Sequence, residues 1–328
     1  MRRRQFITLL GGAAATWPLA ARAQQAGKIY RIGFLSGRSP GESASAVVAF
    51  RKGLGETGYT EGKNLGIEFR WAEGQYERLP ALAADLVRRQ VAVIAATGGP
   101  ASGQAAKAAT ATIPIVFLSG ADPVHEGLVA SLNRPGGNAT GVNPLLPAME
   151  GKRLGFLREV VPNAALIGVL ANPATPFFDL QVNDVQETTR RVGQQVHILR
   201  ASSDENIEAA FTTMAELRAG ALLVCADPFM LSRRERLVAL AARHTIPAIY
   251  EVREYAIAGG LMSYGVSLAD AYRMAGVYTG RILNGERPAE LPVLQPTKFE
   301  LVINVKTAKA IGVKISDDLL SLSDEVIE

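Results

Sequence analysis

Five short segments carry the side chains most suited to holding a small polar molecule. They are Ser36-Gly37, Thr97-Gly98-Gly99, Ser119 with Asp122, Asn172, and Asp227 before Pro228. Each closes a short apolar run and precedes a polar or helix-forming stretch. A hydroxyl beside the free N–H groups of a helix start suits a carboxylate. Gly98 and Gly99 would let the backbone approach a ligand closely. Asp122 and Asp227 could accept from an amine, Asp227 being the preferred partner, or each could cap the helix that follows. Asn172 can donate and accept. Phe177 and Phe178 could stack on a ring or belong to the core. Tyr250, with Glu251 beside it, and Tyr264 end later apolar runs, and a tyrosine offers a flat face and a hydroxyl.

Other chemistries find no residues. His125, His197 and His244 are far apart and have no cysteine partners at zinc spacing. No phosphate-binding Gly-Lys-Ser/Thr loop occurs. Gly37-Arg38-Ser39-Pro40-Gly41 matches the string of a hydrolase nucleophile elbow. That elbow uses the N–H of the residue after the serine for its oxyanion hole, and Pro40 has none. No cofactor is expected. Cys225 is the single cysteine, so no intrachain disulfide can form, and its apolar run points to a buried thiol.

The elements that must position these residues follow from hydrophobic patterning. With 328 residues, 48% of them hydrophobic, the chain can build two domains. Apolar strand-like runs at 29–35, 65–71, 91–96 and 113–118 alternate with helical patterns at 43–57, 79–90 and 102–111. A turn-rich stretch, Asn133–Pro147, follows. The alternation then restarts: strands at 165–170, 196–199, 221–225, 246–251 and 259–264, helices at 149–161, 178–194, 206–218, 232–244 and 268–284. Such alternation predicts an α/β fold with parallel sheets and crossover helices. Ligands of open parallel sheets sit beyond the carboxyl ends of the strands, where the polar segments named above all fall. Two halves turning those ends toward each other would form a cleft lined from two sides. Arg88-Arg89, Arg190-Arg191 and Arg233-Arg234 read as solvated helix faces, and the acids near 317–325 as a solvated C-terminal stretch.

Residues 1–23 begin with Arg2-Arg3-Arg4, continue into a modest apolar run and end in Ala21-Arg22-Ala23. This is the pattern of an export signal cleaved near Ala23, and Arg3-Arg4-Gln5-Phe6-Ile7 is like a twin-arginine motif. The mature chain is then expected outside the cytoplasm, in the periplasm. The formal charge of +4 comes from this segment, because the remaining 31 bases balance 31 acids. Nucleic-acid binding has no electrostatic basis. No apolar run reaches the ~18 residues of a membrane-spanning helix.

A family resemblance rests on segments in a fixed order. They include Ile32-Gly33-Phe34-Leu35-Ser36-Gly37, Phe50-Arg51-Lys52-Gly53-Leu54 with Gly58-Tyr59, Gly62-Lys63-Asn64-Leu65, and Ile115-Val116-Phe117-Leu118 with Asp122-Pro123-Val124. Pro135 to Gly141, Gly259 to Gly265 and Gln295 to Asn304 complete the set. In these the chain resembles the periplasmic substrate-binding proteins of ABC transporters with a type 1 periplasmic-binding fold, in the branch with tryptophan- and phenylalanine-binding components. The resemblance implies two Rossmann-like lobes joined by three hinge crossovers. Lobe one would hold residues 28–142 plus 265–294, and lobe two 143–264 plus 295–328. It implies hinge closure on a small-molecule ligand (an amino acid or related organic acid), docking onto an inner-membrane ABC permease, no catalysis and a monomer. A periplasmic sensor presenting its closed form to a chemoreceptor or sensor kinase would share fold and leader.

Overall fold

The computed structural model describes residues 29–144, 149–175 and 177–328. The leader expected at 1–23 lies outside the described residues.

The first sheet has five parallel strands: β1 (Tyr30–Ser36), β2 (Leu65–Trp71), β3 (Ile94–Thr97), β4 (Ile115–Leu118) and β5 (Ala139–Val142), in the order β2-β1-β3-β4-β5. From Ile32 to Ser36 and throughout β3 and β4 every residue is buried. Strands covered on both faces must be apolar on both, which is why these read as unbroken runs. Helices α1 (Ala44–Glu56), α2 (Leu79–Arg88) and α3 (Pro100–Ala109) cover the sheet. Pro100 suits the first turn of α3, where its missing N–H leaves no bond unmade.

β5 falls inside the turn-rich stretch, where no strand was expected. Its four small residues carry little strand signal, yet Gly141 is required there: a Cβ would lie 2.1 Å from the Phe117 carbonyl oxygen of β4. Asn138 holds the entry by donating from Nδ2 to the Thr110 and Ile113 carbonyls at 3.0 and 2.9 Å.

The second sheet has seven strands: β6 (Leu166–Ala171), β7 (Gln195–Arg200), β8 (Ala221–Val224), β9 (Ala248–Tyr250), β10 (Met262–Val266), β11 (Phe299–Asn304) and β12 (Glu325–Ile327). Their order is β12-β11-β10-β9-β8-β6-β7, and β10 with β11 is the antiparallel pair. Its helices are α4 (Glu150–Val160), α5 (Phe178–Val192), α6 (Asp204–Glu216), α7 (Pro228–Ser232), α8 (Arg234–Arg243) and α9 (Arg253–Ile257). α10 (Leu268–Leu283) follows β10 but packs on α1 of the first lobe, and α11 (Val305–Ala310) and α12 (Asp317–Leu322) follow β11. The chain thus passes between the sheets after β5, after β10 and before β11. The acids near 317–325 are solvated as expected, with Asp317, Asp318 and Asp324 exposed, on a stretch that folds as α12 and β12. Asp324 accepts from Leu301 N at 2.8 Å, and Arg253 pairs with Glu325 at 2.7 Å.

Each sheet has an apolar core on both faces. Phe34, Phe50 and Tyr272 lie on one side of the first sheet, and Leu35, Ile94 and Phe117 on the other. Phe211 and Tyr255 lie on one side of the second, and Leu157, Val169 and Ile303 on the other. The fold is therefore α/β with two wound lobes whose sheets are essentially parallel.

Candidate functional site

The carboxyl ends of β1, β3 and β4 face those of β8 and β9 across the gap between the lobes. An inner chamber of about 50 Å³ lies there. Arg38, Gly98, Gly99 and Leu118 wall it from the first lobe, and Phe177, Asp227, Glu251 and Val252 from the second. Pro144 and Leu268, beside two of the crossovers, complete it. Two vestibules adjoin, and Arg38 lines both. One, of about 270 Å³, sets Arg38 and Glu42 against Arg234, Arg253 and Glu254. The other, of about 280 Å³, sets Gly37, Arg38 and Tyr76 against Pro228, Phe229 and Arg233.

Gly98, Gly99, Phe177 and Asp227 are brought to the chamber wall. Gly98 (φ 79°) and Gly99 (φ 123°) occupy the left-handed region that favours glycine. A Cβ on Gly98 would lie 2.5 Å from Ser36 Oγ. Ser36 itself is buried behind the wall, its Oγ accepting from Arg38 N at 3.2 Å. It therefore shapes the turn that presents Arg38. Gly37 lines the Tyr76 vestibule. Thr97 is buried, and its Oγ1 has no hydrogen-bond partner among the described residues.

The rest do not reach the chamber. Ser119 Oγ accepts from Ala121 N at 3.1 Å, closing a local turn. Asp122 is exposed and accepts from Val124 N and His125 N, at 2.9 and 3.3 Å, closing a turn that no helix follows. Tyr250 stacks on Tyr255 at 4.4 Å within the second lobe. Tyr264 packs against Phe156 and Phe299, with Lys152 Nζ 4.8 Å from its ring centre. Phe178 lies under the Arg200 guanidinium. Arg233 and Arg234 line the vestibules rather than a plain solvated helix face.

Asp227 is occupied locally. Its Oδ1 accepts from Asn172 Nδ2 and Met230 N, both at 3.1 Å, capping α7, while Asn172 Oδ1 accepts from Ala174 N. Burial raises the Asp227 pKa against the pull of these donors. Burial pushes Glu251 up to about 8, with Arg153 and Arg38 acting in the opposite sense and Glu150 and Asp227 adding to the rise. Behind the wall, Arg153 and Glu150 form a fully buried ion pair. Arg153 Nε donates to the Tyr264 carbonyl at 2.8 Å, and Glu150 Oε1 accepts from Ala226 N at 3.1 Å. Gln181 Nε2 donates to the Ala226 carbonyl at 2.7 Å. Side chains of α4 and α5 thus hold the strand end that carries Asp227.

Arg38 is the main residue that the expectations passed over. It directly follows Ser36-Gly37 at the first strand end, which is the signal that could have found it. Ser39, next to it, accepts from Glu42 N while its own N–H donates to Glu42 Oε2, a reciprocal turn just before α1. Glu254 has no comparable sequence signal. Among the described residues, no group of three or more His, Cys, Asp and Glu is placed to hold a metal ion.

Two wound lobes, three chain crossings and a chamber between facing strand ends define a two-lobed binding protein. The chain belongs to the ABC transporter substrate binding protein family, whose profile matches residues 36–327. It is 28% identical over 270 residues to a tyrosine-binding protein of Clostridioides difficile strain R20291, covering 82% of this chain and 77% of that one. A conserved domain protein of Vibrio cholerae superposes with a TM-score of 0.82 at 25% identity, covering 91% of this chain and 100% of that one. An ABC domain from Streptococcus pneumonia in complex with L-Trp superposes with a TM-score of 0.81 at 24% identity, covering 92% of this chain and 100% of that one. Among the described residues no helix is long and apolar enough to cross a membrane.

Proposed function

We propose that this protein captures an amino acid with an aromatic side chain between its lobes, outside the cytoplasm, and delivers it to the permease of an ABC importer without chemical change. One observation carries the reading. The chamber has apolar walls from both lobes (Leu118, Phe177, Val252 and Leu268), and a cationic side chain, Arg38, stands at its opening to the vestibules. An apolar chamber with a few placed polar groups suits an amphiphilic small molecule. The names of the tyrosine-binding relative and of the L-Trp complex support the choice of ligand.

Closure by hinge motion belongs to the same reading. A chamber of about 50 Å³ holds only a few waters, at roughly 10–15 Å³ each. An aromatic amino acid therefore enters by separation of the lobes, with residues 28–142 plus 265–294 moving against 143–264 plus 295–328. A ligand touching both lobes favours the closed arrangement by its differential affinity for it. The basic leader would export the chain, with cleavage near Ala23.

Isothermal titration of the purified protein, refolded to strip any carried ligand, tests the reading. Saturable binding of L-tyrosine, L-tryptophan or L-phenylalanine, with much weaker binding of sugars and aliphatic amino acids, is expected. Binding of sugars alone would overturn it.

A further inference from the structure

We infer that the ligand's charged head lies in the Glu254 vestibule, its carboxylate on Arg38 and its ammonium on Glu254, with its apolar end in the inner chamber. The inference rests on the amino-acid reading above and assigns it a direction. It also moves the amine contact away from Asp227.

The other charged groups near the chamber and this vestibule are already engaged. Asp227 Oδ1 accepts from both Asn172 and Met230. Arg253 is paired with Glu325, Arg234 contacts Glu235 at 3.6 Å, and Glu42 accepts from Ser39 N. Glu251, buried at the chamber wall, holds its proton at neutral pH and offers an O–H rather than a negative charge.

Two charged side chains of this vestibule keep a buried atom without a partner, one from each lobe. Arg38 Nε and Glu254 Oε2 are both buried without a hydrogen-bond partner among the described residues. Both line the same vestibule, and Glu254 is one of the strongest electrostatic neighbours of Arg38. Leaving a buried polar group unsatisfied costs about 1–3 kcal/mol, and more for a charged one, so such groups call for a partner. A donor and an acceptor lining one vestibule from opposite lobes match the two ends of a zwitterion. The vestibule shares Arg38, Leu231 and Leu268 with the inner chamber, so once the lobes part enough to widen the chamber one molecule can place its head in the first and its ring in the second. Because Arg38 and Glu254 belong to different lobes, a head bridging them also favours closure.

The test compares whole ligands with analogues lacking one charge: L-tryptophan, tryptamine and indolepropionate, and in parallel L-tyrosine, tyramine and hydroxyphenylpropionate. Titrations use the wild-type protein, Glu254→Gln, Arg38→Gln and Asp227→Asn. Glu254→Gln should weaken the amino acid about tenfold or more and leave the ammonium-free acid within about twofold. Arg38→Gln should weaken the amino acid and the ammonium-free acid, and leave the amine unchanged. Glu254→Gln keeps side-chain size, Arg38→Gln shortens the side chain, and the analogue series on the wild-type protein does not depend on any variant folding. The inference is overturned if Glu254→Gln weakens the amino acid and the ammonium-free acid equally. It is also overturned if the preference for the amino acid collapses in Asp227→Asn and survives in Glu254→Gln. If the wild-type protein binds neither amino acid nor L-phenylalanine, the functional reading falls and this inference falls with it.

Discussion

Glu251 shows how a single carboxyl couples this cleft to pH. It titrates near 4.5 in an unfolded chain, and burial carries it to about 8 in the folded one. The folded state therefore holds a proton that the unfolded state has released throughout that window. Stability should fall as pH rises through it, by roughly 1.4 kcal/mol per pH unit at most, and level off above the folded value. Glu251→Gln should flatten that slope and stabilise the ligand-free protein at about pH 7, read from urea unfolding at several pH values. An unchanged slope would show that Glu251 is not the group responsible. Asp227 makes the opposite case, because its hydrogen bonds are structural. Asp227→Ala removes the α7 cap and leaves Asn172 without its acceptor, so a loss of about 1 kcal/mol or more is expected in the same unfolding experiment.

At the scale of elements, the packing of α10 on α1 ties the second crossover to the first lobe. The two backbones approach so closely that a Cβ on Gly53 would lie 1.9 Å from the Arg273 carbonyl oxygen. One on Gly276 would lie 2.1 Å from the Phe50 carbonyl oxygen. Backbone cannot move aside as a side-chain tip can, so Gly53→Ala should cost about 1–3 kcal/mol or more. Gly55, two positions along the same helix, faces open space. Gly55→Ala should stabilise by about 0.5–1 kcal/mol, because alanine loses less backbone freedom on folding. Opposite signs in one denaturation series would establish the close crossing, and equal effects would refute it.

For the molecule as a whole, the lobes already meet in this arrangement: a Cβ on Gly99 would lie 3.6 Å from Pro228 across the cleft. Small-angle X-ray scattering should therefore give a larger radius of gyration for the free protein than for the protein saturated with L-tryptophan or L-tyrosine. Identical curves despite measured binding would rule out hinge closure. A ligand at about a thousand times its dissociation constant adds ~4 kcal/mol to the folded state, so the same ligand should raise the melting point by several degrees.

The alternation of apolar runs and helical patterns was readable in advance because a doubly covered strand must be apolar on both faces. The small and polar strand ends were readable too, since ligands of parallel sheets meet the chain there, and Gly98, Gly99, Phe177 and Asp227 line the chamber. What each such residue does was not readable. Ser119 and Asp122 are of the same types as ligand contacts, but nearby backbone N–H groups claim their oxygens first. Tyr250 and Tyr264 pack against side chains of their own lobe, a matter of register and of what packs on each face. β10 and β11 run antiparallel because the chain returns from the other lobe, and a local pattern carries no strand direction. Arg38 and Glu254 lie in distant segments, and their shared vestibule exists because two separately folded lobes bring those segments together.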